Sequence, residues 1–208
     1  ENAVKVTRLV AHAEPMLNVV LLKSVWTDRE LLANRIAVLR VLSVAERLEA
    51  LSRALPLLVQ MARSSGDHFI RSKATLLAAK AQADGRLVIE QLKDQSPRVR
   101  ANAVEALWGQ RTKAAIQVFE AAAAKAGEHH RVVVNALVGL YLAGRQDEAI
   151  RLLKKLSLAH SSGMQTAAAW AMGYLQDPCF LKDLAQLSDS TDLAIARMAA
   201  LAKLNIEV

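Results

Sequence analysis

The sequence predicts an all-α protein, on the basis of its composition and of an apolar pattern that recurs along the chain. Of the 208 residues, 53% are hydrophobic but only 4% are aromatic, and there are 8 glycines and 4 prolines. The strong helix formers Ala, Leu, Arg, Gln, Glu and Lys dominate, whereas a β-sandwich would need more turn, β-branched and aromatic residues. The composition also excludes collagen-like, mucin-like and disulfide-scaffold proteins.

The recurring pattern is clearest after the turn Asp94–Ser96, where Pro97 suits the first turn of a helix. Residues at i, i+4, i+7 and i+8 then share one helical face. Sets of this kind begin at steps of 29, 33, 32 and 29 residues. They are Ile70, Ala74, Leu77 and Ala78; Val99, Ala103, Ala106 and Leu107; Val132, Ala136, Gly139 and Leu140; Met164, Ala168, Ala171 and Met172; Leu193, Arg197, Ala200 and Leu201.

A second class of predicted helices lies between these sets, over 86–93, 113–126, 146–160 and 178–187. A unit of two short helices cannot bury its own apolar faces, so neighbouring units must stack. We therefore expect an α-solenoid of about five to six helical hairpins, with the regular repeats in residues 66–205.

Residues 1–65 follow the pattern less well and are predicted to form less regular repeats or a cap. A faint copy of the repeat spans Leu31–Leu39. The segment 3–26 predicts a helical pair broken at Pro15, and 46–63 predicts one long helix around Pro56.

The pattern Asp-x-x-Pro-x-Val-Arg-x-x-Ala-x-x-Ala-Leu, from Asp94 to Leu107, resembles a HEAT repeat. Residues 169–178 resemble the end of another, and the short units are similar to the HEAT-like repeats of many bacterial proteins, including phycobilisome lyases. The resemblance implies one right-handed solenoid domain over 1–208, with first helices on the convex face and second helices lining the concave face. It also implies binding of another macromolecule, and it supplies no shared catalytic residues.

HEAT-like arrays commonly pair an acidic turn residue with a basic residue of the helix that follows. Asp94 with Arg100 fits this arrangement, and Asp67 with Arg71 would be its upstream copy. Gln165 stands at the corresponding place in the fourth unit, so the ladder is incomplete. We interpret the four charged residues as an internal structural ladder, with direct ligand contact as the alternative.

Candidate partner contacts follow from the same register, because side chains one before, three after and six after the first core position point off the core face. Those chosen as lining the concave surface are Phe69, Lys73, Leu76, Arg98, Asn102, Glu105, Arg131, Asn135 and Trp170. Phe69 and Trp170 stand out, since large aromatics are costly to leave in water and Trp is a favoured anchor of binding hot spots. The alternatives are a staple at the helix start for Phe69 and internal packing for Trp170. Trp108 is predicted to pack between repeats.

The sequence contains no recognised catalytic or metal-binding motif, and no cofactor is expected. His129 and His130 are adjacent, so on a helix they point about 100° apart and suit an exposed pair better than a metal site. Cys179, the single cysteine, follows Pro178 at a helix start. A buried thiol is the preferred interpretation, and a thiol with a lowered pKa is the alternative.

We expect a non-catalytic scaffold that binds a protein or peptide on the concave face. Nucleic-acid binding is the first alternative, because residues 1–104 hold 16 basic and 10 acidic side chains. The arginines and lysine behind it are Arg35, Arg40, Arg63, Arg71, Lys73, Arg98 and Arg100. A dimerisation or spacer module of a larger protein is the second alternative, and a lyase-type enzyme, suggested by the family resemblance alone, is the third.

The sequence has no apolar run of the ~20 residues that span a bilayer, and no signal peptide is visible. We therefore expect no membrane insertion by this segment and a cytoplasmic location. The start at Glu1 rather than Met leads us to expect that the chain is a piece of a longer protein.

Overall fold

The computed structural model describes residues 38–39, 42–43, 51–81 and 85–207, and this part of the chain is all-helical. The α-helices that it defines are α1 Leu51–Ser64, α2 His68–Ala81, α3 Arg86–Gln91, α4 Pro97–Glu105, α5 Lys113–Ala124, α6 His130–Leu142, α7 Gln146–Ser157, α8 Ser162–Leu175, α9 Leu181–Ser188 and α10 Leu193–Glu207. A 3₁₀ turn, Pro178–Phe180, precedes α9. The predicted helical pair at 3–26, residues 31–37 of the faint repeat, the start of the long helix at 46–50, and Arg35 and Arg40 lie outside the described residues.

Helix starts follow the predicted positions closely, and local chemistry explains them. Pro97 occupies the first turn of α4, where its missing N–H costs no hydrogen bond. The side-chain oxygens of Thr112 and Ser161 accept hydrogen bonds from the third backbone N–H groups of α5 and α8. Gly144, with φ of 94°, takes the left-handed conformation that turns the chain from α6 into α7.

The chain divides into two compact units between Ala106 and Leu107. In the first unit, α2 packs against α1 and α4, and α3 contacts α2 and α4. In the second unit, α6 packs against α5, α7 and α8, while α8 packs against α7, α9 and α10. A single right-handed solenoid domain over the whole chain stays a prediction.

The predicted core faces of α2 and α6 are fully buried. In α4 and α8 three of the four predicted core positions are buried, and Ala106 and Met164 are half-buried. The predicted face of α10 is wrong, because Leu193, Arg197, Ala200 and Leu201 are exposed. The buried residues of α10 are instead Ile195, Ala199 and Ala202.

The orientation of α10 is explained by a close approach to α8. A Cβ atom added at Gly173 would lie 2.6 Å from both the Cα and the Cβ atoms of Ala202. Glycine at this point of α8 lets the two backbones come together, and only a small side chain fits opposite it. This contact selects the alanine face of α10 for burial and leaves its leucine face in solvent.

Candidate functional site

Three aromatic side chains, Trp108, Trp170 and Tyr174, meet in the second unit and form what we call the aromatic cluster. The ring centroids of Trp108 and Trp170 are 6.5 Å apart, and Tyr174 lies 5.1 Å from Trp108 and 5.5 Å from Trp170. These separations are typical of attractive aromatic pairs. Both tryptophans are half-buried and Tyr174 is 48% exposed, so the cluster keeps part of its ring surface in water.

The cluster is held by one helix and one turn. Trp170 and Tyr174 are four residues apart on α8, which places them on the same face. Trp108 lies in the segment before α5, and its indole N–H donates a hydrogen bond of 2.8 Å to the backbone oxygen of Asn135 on α6. That bond fixes the Trp108 ring and satisfies its only polar group.

The sequence singles out Trp170 as a binding residue, but not Trp108 or Tyr174. For Trp108 it predicts packing between repeats; in the structure the centroid of the Trp108 ring lies 6.5 Å from that of Trp170 on α8. The available signal for Tyr174 is its i, i+4 spacing from Trp170. Trp108 lies more than 60 residues from both partners in the chain, and no local pattern connects them.

Candidate residues of the first unit contact one another across α2 and α4. The Arg98 guanidinium carbon lies 4.4 Å from the centroid of the Phe69 ring, a cation–π contact. The Asn102 side-chain amide donates to the backbone oxygen of Ser72 at 3.2 Å, and the Ser72 hydroxyl donates to the backbone oxygen of Arg98 at 3.3 Å. These side chains therefore fasten α4 to α2.

Two candidate partner contacts are buried, which contradicts their predicted position on an open surface. Leu76 on α2 and Asn135 on α6 are both almost inaccessible to solvent. The sequence register predicts one covered face for each helix, but α6 is buried all along 132–140 because helices pack on several of its sides. Lys73, Glu105 and Arg131 are half-buried.

The ladder arginine Arg71 joins two turns of the first unit. Its Nε and Nη2 atoms donate to the two carboxylate oxygens of Asp94 at 3.0 and 3.1 Å, and its Nη1 atom donates to the backbone oxygens of Ser65 and Gly66. The sequence predicts a pair of Asp94 with Arg100, but the Asp94 carboxylate accepts its side-chain hydrogen bonds from Arg71. Arg100 donates from Nη1 to the backbone oxygens of Asp94 and Gln95, six and five residues before it.

The Asp94 carboxylate is held in its charged form by these contacts. Partial burial acts to raise the pKa of Asp94, but hydrogen bonds from Arg71 and from the Ser96 backbone N–H, with the charges of Arg71 and Arg100, outweigh it. The net result is a pKa below the usual aspartate value. Asp67 has a capping role, accepting a 2.7 Å hydrogen bond from the Phe69 backbone N–H.

Cys179 is exposed, so the prediction of a buried thiol is wrong. The alternative of a lowered pKa is also wrong, because desolvation of the sulfur and the nearby Asp177 carboxylate raise the pKa of Cys179 to about 11. Asp177 also accepts a 2.8 Å hydrogen bond from the Tyr141 hydroxyl. Burial and this carboxylate raise the pKa of Tyr141 to about 12. At neutral pH neither group is a ready nucleophile.

The histidine pair is half-buried rather than exposed. The rings of His129 and His130 are 4.0 Å apart, and Nδ1 of His129 accepts a hydrogen bond from the Arg131 backbone N–H at the start of α6. Burial, followed by the neighbouring charges of His129 and Arg131, lowers the pKa of His130. Across residues 51–81 and 85–207, no three His, Cys, Asp or Glu side chains are grouped to hold a metal ion.

The described helices include none with the length and apolar character needed to cross a membrane. In comparisons with known proteins, the chain matches no family model, and no curated protein is significantly similar to it. The aromatic cluster and the charged contacts of the first unit are therefore interpreted from their own geometry.

Proposed function

We propose that this chain is a non-catalytic, HEAT-like α-solenoid that binds a protein or peptide partner. The aromatic cluster is its main contact. The observation that supports this most is three partly exposed rings within 5.1–6.5 Å of one another. Trp and Tyr are enriched at binding hot spots because they bury large areas while few rotatable bonds are immobilised.

The repeat character of the proposal is supported by the matching contacts of two arginines. Arg71 and Arg100 each follow a turn by the same number of residues, and each donates from Nη1 to the carbonyls five and six residues earlier. Side chains that repeat both in spacing and in hydrogen bonding are what a stacked array requires. The HEAT-like family itself remains part of the proposal.

Nucleic-acid binding is the second candidate function, favoured by the same exposed rings, because aromatic side chains stack on unpaired bases. The basic residues of the first unit favour it less. Arg63 forms a two-bond pair with Glu90, Arg71 pairs with Asp94, and Arg98 lies over Phe69. These arginines therefore already interact with groups of the first unit, and less of their positive charge is available to bind phosphates.

The test is a pull-down from source-cell lysate at near-physiological salt, with and without nuclease, read by mass spectrometry. The bait proteins are wild type, Trp170→Ala, Tyr174→Ala and the control Leu158→Ala, which truncates an exposed leucine of the same unit. We expect a partner that survives nuclease, is lost with the two cluster variants and is kept by the control. Circular dichroism checks that each variant is folded.

The other outcomes separate the alternatives. If the captured proteins are lost after nuclease treatment, the chain binds nucleic acid and the proposal of a protein partner is wrong. A partner retained equally by all four baits would show that the aromatic cluster is not the contact. A role as a dimerisation or spacer module would appear as self-capture of the chain alone.

A further inference from the structure

A small cavity lies among the helices α7, α8 and α9 of the second unit. Its volume is about 270 Å³, and its walls come from the end of α7, from Gln165 on α8, and from α9 with the turn that follows it. Cavities that hold drug-sized ligands are larger, about 300–1,000 Å³. This cavity is therefore suited to one side chain or to a ligand of similar size.

Three side chains that line the cavity offer oxygen atoms to a ligand. The Gln165 amide nitrogen donates to the backbone oxygen of Ser157 at 3.2 Å, so its Oε1 atom is left to accept a hydrogen bond. Asp183 approaches the Lys154 Nζ atom through Oδ2, at 3.2 Å, which leaves its Oδ1 atom. Gln186 is exposed and adds a third side-chain oxygen. A ligand that satisfies all three acceptors needs several N–H groups.

The charges around the cavity favour a cation. None of the described residues that line it is Lys, Arg or His, and Asp183 is the one charged side chain among them. Lys154 is held towards the start of α9 by a 2.9 Å hydrogen bond from Nζ to the Cys179 backbone oxygen. The C-terminal ends of α7 and α9 also border the cavity, at Ser157 and Leu187, and such ends carry partial negative charge.

We propose that this cavity binds a guanidinium group, such as that of an arginine side chain. A guanidinium group carries five N–H donors in one plane, so it can reach acceptors on both α8 and α9. An ammonium group is compact and more strongly hydrated, and it satisfies fewer of them. Buried Leu187 supplies an apolar wall for the methylene groups of an arginine. No residue of the aromatic cluster lines the cavity, so this inference does not depend on the function proposed above.

The probe is Nα-acetyl-arginine N-methylamide, titrated into the ¹⁵N-labelled full chain at constant ionic strength while amide shifts are followed by NMR. We expect saturable shifts centred on Ser157, Gln165 and residues 183–190. The citrulline analogue has nearly the same shape but no charge, and it should bind about tenfold more weakly. The lysine analogue should also bind more weakly than the arginine probe.

Free L-arginine distinguishes two sources of the guanidinium group. Tighter binding of the blocked arginine would identify an arginine within a peptide chain, because no lysine or arginine lines the cavity to pair with a free carboxylate. Tighter binding of the free amino acid would identify a small guanidino compound. Both results support the guanidinium site.

Variants test the lining residues one at a time. Asp183→Asn should weaken binding of the arginine probe about tenfold, because it removes a charge-assisted hydrogen bond. Gln186→Ala removes an exposed acceptor without disturbing the core, and should weaken binding about threefold. Asp189→Asn removes the same charge from an exposed residue outside the cavity, and Leu158→Ala trims a lining leucine that is 67% exposed. These two controls should change the affinity less than about twofold.

Several results would overturn the proposal. They are the absence of shifts at a large molar excess of the probe, and equal affinity for the citrulline or lysine analogue. Equal weakening by Asp183→Asn and Asp189→Asn would mean that overall charge, and not the cavity, attracts the probe. Shifts centred on Trp170 and Tyr174 would place the guanidinium group on the aromatic cluster instead.

Discussion

The two units hold neighbouring helices together in different ways. In the first unit, α2 and α4 are linked by charged and polar groups, with the Arg71–Asp94 pair at the centre. In the second unit, α8 and α10 meet through Gly173 and Ala202, where the backbones nearly touch. A polar link fixes orientation through directed hydrogen bonds, whereas the glycine contact depends on shape alone.

This difference decides which side chains stay available to a partner. In the first unit Phe69, Arg98 and Asn102 are used to hold α4 against α2. In the second unit small residues make the helix contact, and the larger Trp170, Tyr174 and Leu201 keep exposed surface. The spacing of a residue in the sequence pattern thus indicates its side of the helix. Whether its side chain stays exposed depends on whether the contact between the two helices is made by large polar side chains or by small residues.

The largest effect is expected from breaking the apolar joint with Gly173→Val. The added side chain meets the Ala202 backbone, which cannot move aside, so the free energy of unfolding should fall by about 3 kcal/mol. Gly66→Ala is the control, since a Cβ there meets nothing within 4 Å, and it should change stability by less than about 0.5 kcal/mol. Urea denaturation measures both. Equal stability of the two variants would contradict the close approach of α8 and α10.

A somewhat smaller effect is expected from breaking the polar joint with Arg71→Gln. The side chains of Arg71 and Asp94 are only 18% and 14% exposed. Losing the two Arg71 bonds to Asp94, together with its two bonds to backbone oxygens, should cost about 2 kcal/mol. Arg63→Gln removes the Arg63–Glu90 pair, which is geometrically similar but exposed, and should lower the free energy of unfolding clearly less than Arg71→Gln does. Matching losses in the two variants would show that burial does not strengthen the Arg71 pair.

The smallest expected effect is a pH dependence of the stability that the Arg71–Asp94 pair contributes. The pKa of Asp94 is lowered in the folded state, so its stabilisation is present above the unfolded value of about 3.9 and is lost as pH falls through the folded value. The stability difference between wild type and Arg71→Gln should therefore shrink on acidification from pH 5 to pH 3. The difference between wild type and Gly173→Val should stay constant, because no titrating group takes part. Denaturation at each pH provides the comparison, and an unchanged Arg71 difference at pH 3 would refute it.

Sequence periodicity predicted most of the helices and the core faces of α2 and α6, because apolar spacing reports directly on which side of a helix is buried. The periodicity predicted the wrong buried face for α10, because leucine and alanine occur on both sides of this helix and either side is apolar enough to be buried. The choice between them depends on Gly173, a residue of another helix, and this information is not in the α10 sequence.

The candidate site was less predictable than the fold for the same reason. Trp170 could be singled out by its size and register, but the cluster requires Trp108, which only the folded chain brings to α8. Asn135 illustrates the opposite error, since its register indicated an open surface and its neighbours bury it. Contacts between helices depend on pairs of residues far apart in the chain, and the pattern around one residue does not show its distant partner.

The shared hydrogen bonding of Arg71 and Arg100 also bears on how the chain folds. Each arginine reaches back only five or six residues to the carbonyls of its own turn. Such short loops close on a timescale of about 10–100 ns, long before helices distant in the chain can meet. The arginine bonds of each turn can therefore form before α2 and α4 pack against each other, without waiting for contacts between residues far apart in the chain.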